Sequence, residues 1–221
     1  MAFPTVRSSN TSIDASDVTT HSIVLPATIV ADDLLILITA QDGRLWETFP
    51  AGWTELENAD HGAVGFAVFA KIAVGDEDST TIQPTTGNAQ QSSHVSLAIR
   101  DWSGDIGDVE GTFATSTDSA PNPPSHSASS GGSADRLWLA VCGMDEGNSS
   151  GVSAYPYADN NLNQDSSGSS GVAVGVCSDE LTGVTQDPGT FTIGSSTLWG
   201  CGTISVEPAA SGSSWYYYAN Q

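Results

Sequence analysis

Positive charge is the scarcest property of this chain. Its 221 residues hold five lysines and arginines together (Arg7, Arg44, Lys71, Arg100 and Arg136) against 26 aspartates and glutamates, for a net charge of −21 and a pI near 4.1. A surface so negative does not track a phosphate backbone, which is held by lysines and arginines that displace counterions. Anionic membrane is disfavoured for the same reason. Neither nucleic acid nor membrane is therefore an expected partner. Long hydrophobic runs are missing too. The longest mainly apolar stretch, Leu34–Ala40 with Thr39 inside it, is far short of the roughly 20 residues of a spanning helix. The opening Met-Ala-Phe-Pro-Thr-Val has no basic segment and no apolar one. No secretory signal is expected, and maturation in the cytosol of the producing cell is.

Cysteine is sparse, at Cys142, Cys177 and Cys201, and no CxxC occurs. The odd number and wide spacing argue against a zinc knuckle. Each cysteine lies in an apolar or small-residue run, where a buried free thiol is the first expectation and a disulfide between two of them the alternative. Catalytic motifs are lacking as well: there is no GxSxG elbow, no HExxH, no P-loop and no GxGxxG between a strand and a helix. The four histidines, His21, His61, His94 and His126, sit in strand, turn or linker contexts. Serine is so common that a Ser-His-Asp triad can be drawn almost anywhere, which deprives the drawing of weight. The chain is expected not to be an enzyme.

What the chain does have is 38% hydrophobic residues, enough for a core. They fall into short segments rich in Val, Ile, Thr, Phe and Trp, punctuated by Gly, Asp, Ser, Asn and Pro, with no capped 3.6-residue periodicity. Strands are predicted at 19–25, 33–39, 53–58, 62–72, 80–83 and 93–102, then at 109–115, 136–143, 151–155, 171–177, 190–193 and 197–206. Val64, Phe66, Val68, Ala70 and Ile72 share one face of their segment, and Val95, Leu97 and Ile99 share one of theirs. One buried and one wetter face is the pattern of an antiparallel sandwich. Leu35, Leu37, Phe66, Val68, Leu97, Ile99, Leu137, Leu139, Val174 and Ile204 are the predicted core.

The two halves look alike. Asp33–Gly43 resembles Asp135–Asp145, Gly62–Val68 resembles Gly171–Cys177, Ser79–Ile82 resembles Thr190–Ile193, and Ser92-Ser93 and Ser195-Ser196 each open a strand. The matches run in order at offsets of about 102 to 111 residues. Two separate domains, or two halves that each give strands to both sheets of one sandwich, would explain this. The second is preferred, because about six short strands bury little on their own. The expected organisation is a single domain over 1–207, with halves near 19–113 and 135–207. A polar connector, 114–134, would join them as a free linker or as an extended arm along a sheet, and a C-terminal arm would span 208–221.

Four consecutive aromatics, Trp215, Tyr216, Tyr217 and Tyr218, follow a Ser/Gly spacer in that arm. They are costly to leave in water and are expected to anchor the protein on a partner or to fold back on its own sheet. Asp159, Asn161, Asn163 and Asp165 put oxygen side chains at alternate positions, as a calcium loop does. Gln164 stands where that loop wants glycine and Ser170 where it wants glutamate. A polar connection is therefore expected, with a calcium site as the alternative; no cofactor is expected, and removing calcium with a chelator should leave the melting temperature unchanged. The acidic surface, spread along the chain, suits solubility in high salt, as in a halophilic or marine setting.

Asp33-Leu-Leu-Ile-Leu through Asp42-Gly43, Pro50-Ala-Gly-Trp-Thr-Glu-Leu56, Gly65-Phe-Ala-Val-Phe-Ala-Lys-Ile-Ala73 and Leu97-Ala-Ile-Arg-Asp-Trp102 together resemble a β-sandwich module of tailed-phage structural proteins. Asp135-Arg-Leu-Trp-Leu-Ala-Val141 and Gly189-Thr-Phe-Thr-Ile193 continue the likeness, which spans roughly 19–207. The resemblance implies an all-β, antiparallel, jelly-roll-like or Ig-like sandwich located in the virion. It would be a capsid decoration protein or tail component whose partners are the capsid shell, other virion proteins and copies of itself. It carries no catalytic residues. The alternative is a receptor- or carbohydrate-binding module of a tail fibre or secreted adhesin, with Trp46, Tyr155 and Tyr157 as the sugar-stacking aromatics.

Overall fold

The computed structural model describes residues 2–129, 132–145, 151–165 and 171–210. The protein is an all-β sandwich. Its first half holds β1 (Thr5–Thr20), β2 (Ile23–Val24), β3 (Leu34–Asp42), β4 (Trp46–Thr48), β5 (Thr54–Asp60), β6 (Val64–Ile72), β7 (Thr81–Ile82) and β8 (Thr85–Arg100). A 3₁₀ turn, Ile106–Asp108, leads into the second half. That half holds β9 (Val109–Asp118), β10 (His126–Ser127), β11 (Ala134–Asp145), β12 (Val152–Ala154), β13 (Asp159–Asp165), β14 (Val172–Gly183), β15 (Thr185–Gln186), β16 (Thr192–Ile193) and β17 (Thr197–Val206). No helix of the described residues is long and apolar enough to cross a membrane.

Each half builds one whole sheet. The first runs β1-β8-β3-β6-β5, with β4 added beside β8, and the second runs β9-β17-β11-β14-β13, all pairs antiparallel. This corrects the expectation that each half feeds both sheets. It also moves the boundaries: the first half begins at Thr5 rather than 19, and Val109–Asp118 belongs to the second. The repeat is real at the level of wiring, because both sheets place their long strands in the order first, fifth, second, fourth, third. The small pairs repeat too: β2 with β7 in one half, and β10 with β15 in the other.

The sheets face each other across one apolar layer. Leu34, Ile36, Ile38, Phe66, Val68, Val95, Leu97 and Ile99 of the first meet Leu137, Leu139, Val141, Val174, Val176, Ile204 and Val206 of the second. The register exposes a slip in the sequence alignment. Leu34 lies opposite Ile99 on β8, and Leu137 opposite Val206 on β17, so Leu34 corresponds to Leu137. The matching of Asp33 with Asp135 is out of phase by one residue. A slip of one exchanges the two faces of a strand, and it escapes notice here because both faces of β3 and β11 are apolar.

Both outer faces are covered as well, where a wet face was expected. Over the first sheet, Ile23, Leu25, Ile29 and Trp46 pack on Leu35, Leu37, Ala67 and Phe69, and Phe49 stacks on Phe69 with ring centroids 3.8 Å apart. Over the second, Tyr157, Phe191 and Ile193 cover Trp138, Ala140, Cys142 and Cys177. All ten residues of the predicted core are buried, but Leu35 and Leu37 belong to the outer layer. The connector is tied down rather than free. The carbonyls of Ser119 and Pro121 accept from the backbone N–H groups of Ile193 and Phe191, and that of Pro124 accepts from the Thr203 hydroxyl.

The two halves also clasp at one corner. Trp102 bridges Pro208, Ser103 N donates to the Glu207 carbonyl, and Ala209 N donates to the Asp101 carbonyl. Because the inner layer draws on both halves, separately expressed 1–116 and 132–221 are expected not to fold as monomers. Circular dichroism checks this: two independently cooperative melts would mean two autonomous domains.

Candidate functional site

β8 is 16 residues long, and in its central run Ser92-Ser-His-Val-Ser-Leu97 the residues Ser92, His94 and Ser96 alternate with Ser93, Val95 and Leu97. Val95 and Leu97 face the inner layer. Ser92, His94 and Ser96 face outward, but the segment after β1 folds over them and they are buried. This gives the molecule a polar cluster under cover. His21 Nδ1 lies 2.6 Å from the Ser92 hydroxyl, and His94 Nε2 lies 2.8 Å from the same oxygen. His94 Nδ1 meets the Ser12 hydroxyl at 3.1 Å, and His21 Nε2 meets the Thr86 hydroxyl at 3.0 Å. Trp46 closes the side, edge-on to His21 at 4.9 Å.

Counting protons orders this network. Thr86 donates its one hydroxyl proton to the Asn88 carbonyl at 2.8 Å, so it accepts from His21 Nε2–H. His21 Nδ1 is then a bare lone pair, and Ser92 donates to it. Ser92 has no second proton, so it accepts from His94 Nε2–H. His94 Nδ1 in turn accepts from Ser12, whose oxygen takes the Val24 N–H. Every neutral member of the chain is satisfied. One contact fits poorly. The Asp14 carboxylate, partly exposed on β1, comes within 3.4 Å of His21 Nδ1, acceptor against acceptor.

Burial keeps both imidazoles neutral. It holds His94 down to about 3, with His21 nearby acting the same way. It lowers His21 too, against the opposing pull of Asp14. In the unfolded chain each histidine titrates near its ordinary value of about 6.5. The unfolded state therefore binds more protons between about pH 6.5 and 3, and stability present above pH 6.5 is lost as the pH falls through that window. For His94 this amounts to about 2 kcal/mol at pH 5. Asp42 and Glu57, raised chiefly by desolvation, act in the opposite sense at lower pH. Urea melts of chelator-treated protein at pH 7.5 and pH 5 should show the loss, and His94→Gln should remove most of it. A flat profile would contradict a neutral buried His94.

The residues singled out from the sequence lie elsewhere. Trp46 and Tyr157 are only 5% and 8% exposed, members of the two outer clusters, and Tyr155 is half-buried against Phe191. The two buried rings are packing residues and not sugar platforms, a correction to the carbohydrate reading. Asp159, Asn161, Asn163 and Asp165 lie on the edge strand β13, not in a loop. Alternate strand residues stand about 6.6 Å apart, whereas calcium ligands converge to about 2.3–2.6 Å from the ion. Asn163 instead accepts from the Val152 N–H. Trp215, Tyr216, Tyr217 and Tyr218 lie outside the described residues. The three cysteines are buried free thiols, and Cys142 lies directly opposite Cys201 on neighbouring strands.

Outside the clusters, the Arg44, Leu45, Glu47, Asp60, Gly87 and Asn88 side of the first sheet forms an open hollow of about 370 Å³. It carries both charges and no convergent set of catalytic groups. Compared with protein-family models, curated proteins and solved structures, the chain matches none of them. The His21–Ser92–His94 network was missed because its members are far apart in sequence and each looks ordinary locally. The local signal did not single them out: hydroxyl residues flank His21 in Thr20-His21-Ser22 and His126 in Ser125-His126-Ser127, while His94 has one only on its Ser93 side.

Proposed function

We propose that the protein is a non-enzymatic structural component of a virus particle, a decoration protein that binds the capsid shell or neighbouring copies of itself. The observation that carries this reading is the edge of the first sheet. β1 is a 16-residue strand that, among the described residues, pairs on one side only, with β8, and is half exposed along most of its length. A long edge with free backbone groups accepts another strand. The rest of the molecule has the build of a scaffold: two sheets covered on both faces. The acidic surface and the strand-and-turn resemblance of 19–207 to tailed-phage modules support the same reading. The carbohydrate alternative loses support with the burial of Trp46 and Tyr157.

The test is quantitative mass spectrometry of particles purified on a density gradient from lysates of the producing cells. A fixed copy number per particle, retained through repeated banding, is expected. Protein found only in the soluble fraction would reject the assignment.

A further inference from the structure

We propose that Asp14, His21 and His94 form a binding site for one late first-row divalent metal ion, zinc being the ion whose ligand preferences fit best. The three side chains each offer a ligand atom, and these atoms lie within 4.8 Å of one another. Two imidazoles and a carboxylate are a donor set suited to zinc.

Three features of the geometry point to a cation. First, each ring is already aimed. Thr86 holds the far nitrogen of His21 and Ser12 holds the far nitrogen of His94, so the near nitrogens converge on a single point; metal binding requires the His94 proton to shift from Nε2 to Nδ1, where the Ser12 oxygen accepts it. Hydrogen bonds to the far nitrogen are how proteins orient metal-binding histidines. Second, that point is occupied by the Ser92 hydroxyl, 2.6 and 2.8 Å from the two nitrogens. Rotation about its single side-chain torsion lets Ser92 leave or become a further oxygen ligand. Third, the Asp14 carboxylate faces the His21 lone pair at 3.4 Å. A positive charge between them turns that repulsion into attraction. Asp14 is itself fixed by the Ser22 N–H at 2.8 Å.

The site must contract to close on the ion. Zinc bonds of about 2.0–2.2 Å put neighbouring ligand atoms about 3.3–3.5 Å apart in a tetrahedron, less than the present spread. Asp14 is the least buried of the three ligands, so it is the one that moves. It is partly exposed on edge strand β1, immediately before a register irregularity that runs to Val18. Binding would pin this end of β1 and the turn carrying His21 to β8, so the ion would act as a clip on the edge strand rather than as a catalyst.

The experiment uses the full-length chain stripped of metal by a chelator and then dialysed. Zinc titrated by calorimetry should saturate at one ion per chain and raise the melting temperature by several degrees, as a ligand of the folded state does. Cobalt in its place should give ligand-field absorption in the visible range. Asp14→Asn should weaken the affinity at least about tenfold, the loss of one charged ligand, while leaving the metal-free melt nearly unchanged. His94→Gln should abolish the site, and His61→Gln should keep it. Zinc binding that never saturates, or a one-to-one complex indifferent to Asp14→Asn, would mean that only the acidic surface takes up metal and would overturn the proposal. Because Asp14→Asn changes a partly exposed residue, the test survives even if His94→Gln does not fold.

Discussion

Replacing Arg136 with methionine is expected to cost about 3–5 kcal/mol of folding stability, a large share of the roughly 5–15 kcal/mol available to a domain. Arg136 sits on the outer face of β11, fully buried, with its guanidinium on the Glu207 carboxylate and the Gly183 carbonyl. Removing the arginine leaves Glu207 as a buried charge without its main counter-ion. That penalty, and not the worth of the ion pair itself, is what the single substitution measures. The double variant Arg136→Met/Glu207→Leu should therefore recover most of the loss, since a buried pair exchanged for apolar side chains of similar size is close to neutral. Chemical denaturation of the wild type, both singles and the double completes the cycle. A double variant as unstable as the sum of the singles would show that Arg136 matters for packing and not for charge.

Phe66→Ala is expected to lose a similar amount, about 3–5 kcal/mol, for a different reason. Phe66 projects from β6 into a notch that the opposite sheet leaves by having glycine at two positions. A Cβ built on Gly143 would stand 2.6 Å from the Phe66 ring, and one on Gly200 would stand 2.9 Å from the Phe66 Cβ. The ring fills that space completely, so truncation creates a cavity in the middle of the shared layer. Gly143→Ala should be destabilising from the other direction, by about 1–3 kcal/mol of overpacking. Combining Gly143→Ala with Phe66→Leu should cost less than the two separately, because each relieves the other. Strict additivity in urea melts would mean that the two sheets do not interlock at this point.

The central strands were readable from the sequence, and so were the edge strands β5 and β9, whereas the edge strands β1 and β13 were not. β3, β6, β8, β11, β14 and β17 all overlap predicted strands, because each carries an apolar run long enough to mark it. β1 and β13 were missed. Thr-Val-Arg-Ser-Ser-Asn-Thr-Ser in the first and Asp-Asn-Asn-Leu-Asn-Gln-Asp in the second offer the core little beyond Val6 and Leu162. An edge strand is held by backbone pairing on one side, and backbone pairing leaves no trace in hydropathy. The same limit hid the polar cluster: His21 and His94 meet only because β1 lies beside β8, a pairing that the sequence reading did not contain. The aromatics at Trp46 and Tyr157 misled for the opposite reason. Their place near loops suggested a surface, while the covering layers on both outer faces turned those loops inward.

The clasp at the corner of the sandwich carries one more implication. Thr5 pairs with Arg100, Val109 pairs with Val206, and residues 101–103 pair with 207–209. The beginning and end of each half therefore meet in one place. Joining 209 to 5 through a short linker and opening the chain near Gly104, where the turn is exposed and adopts a positive φ, would yield a circular permutant in which the second sheet is made first. No strand pairing would be lost. The order in which a ribosome delivers the two sheets would then be a historical accident, while the face each shows the other is the constraint that both must keep.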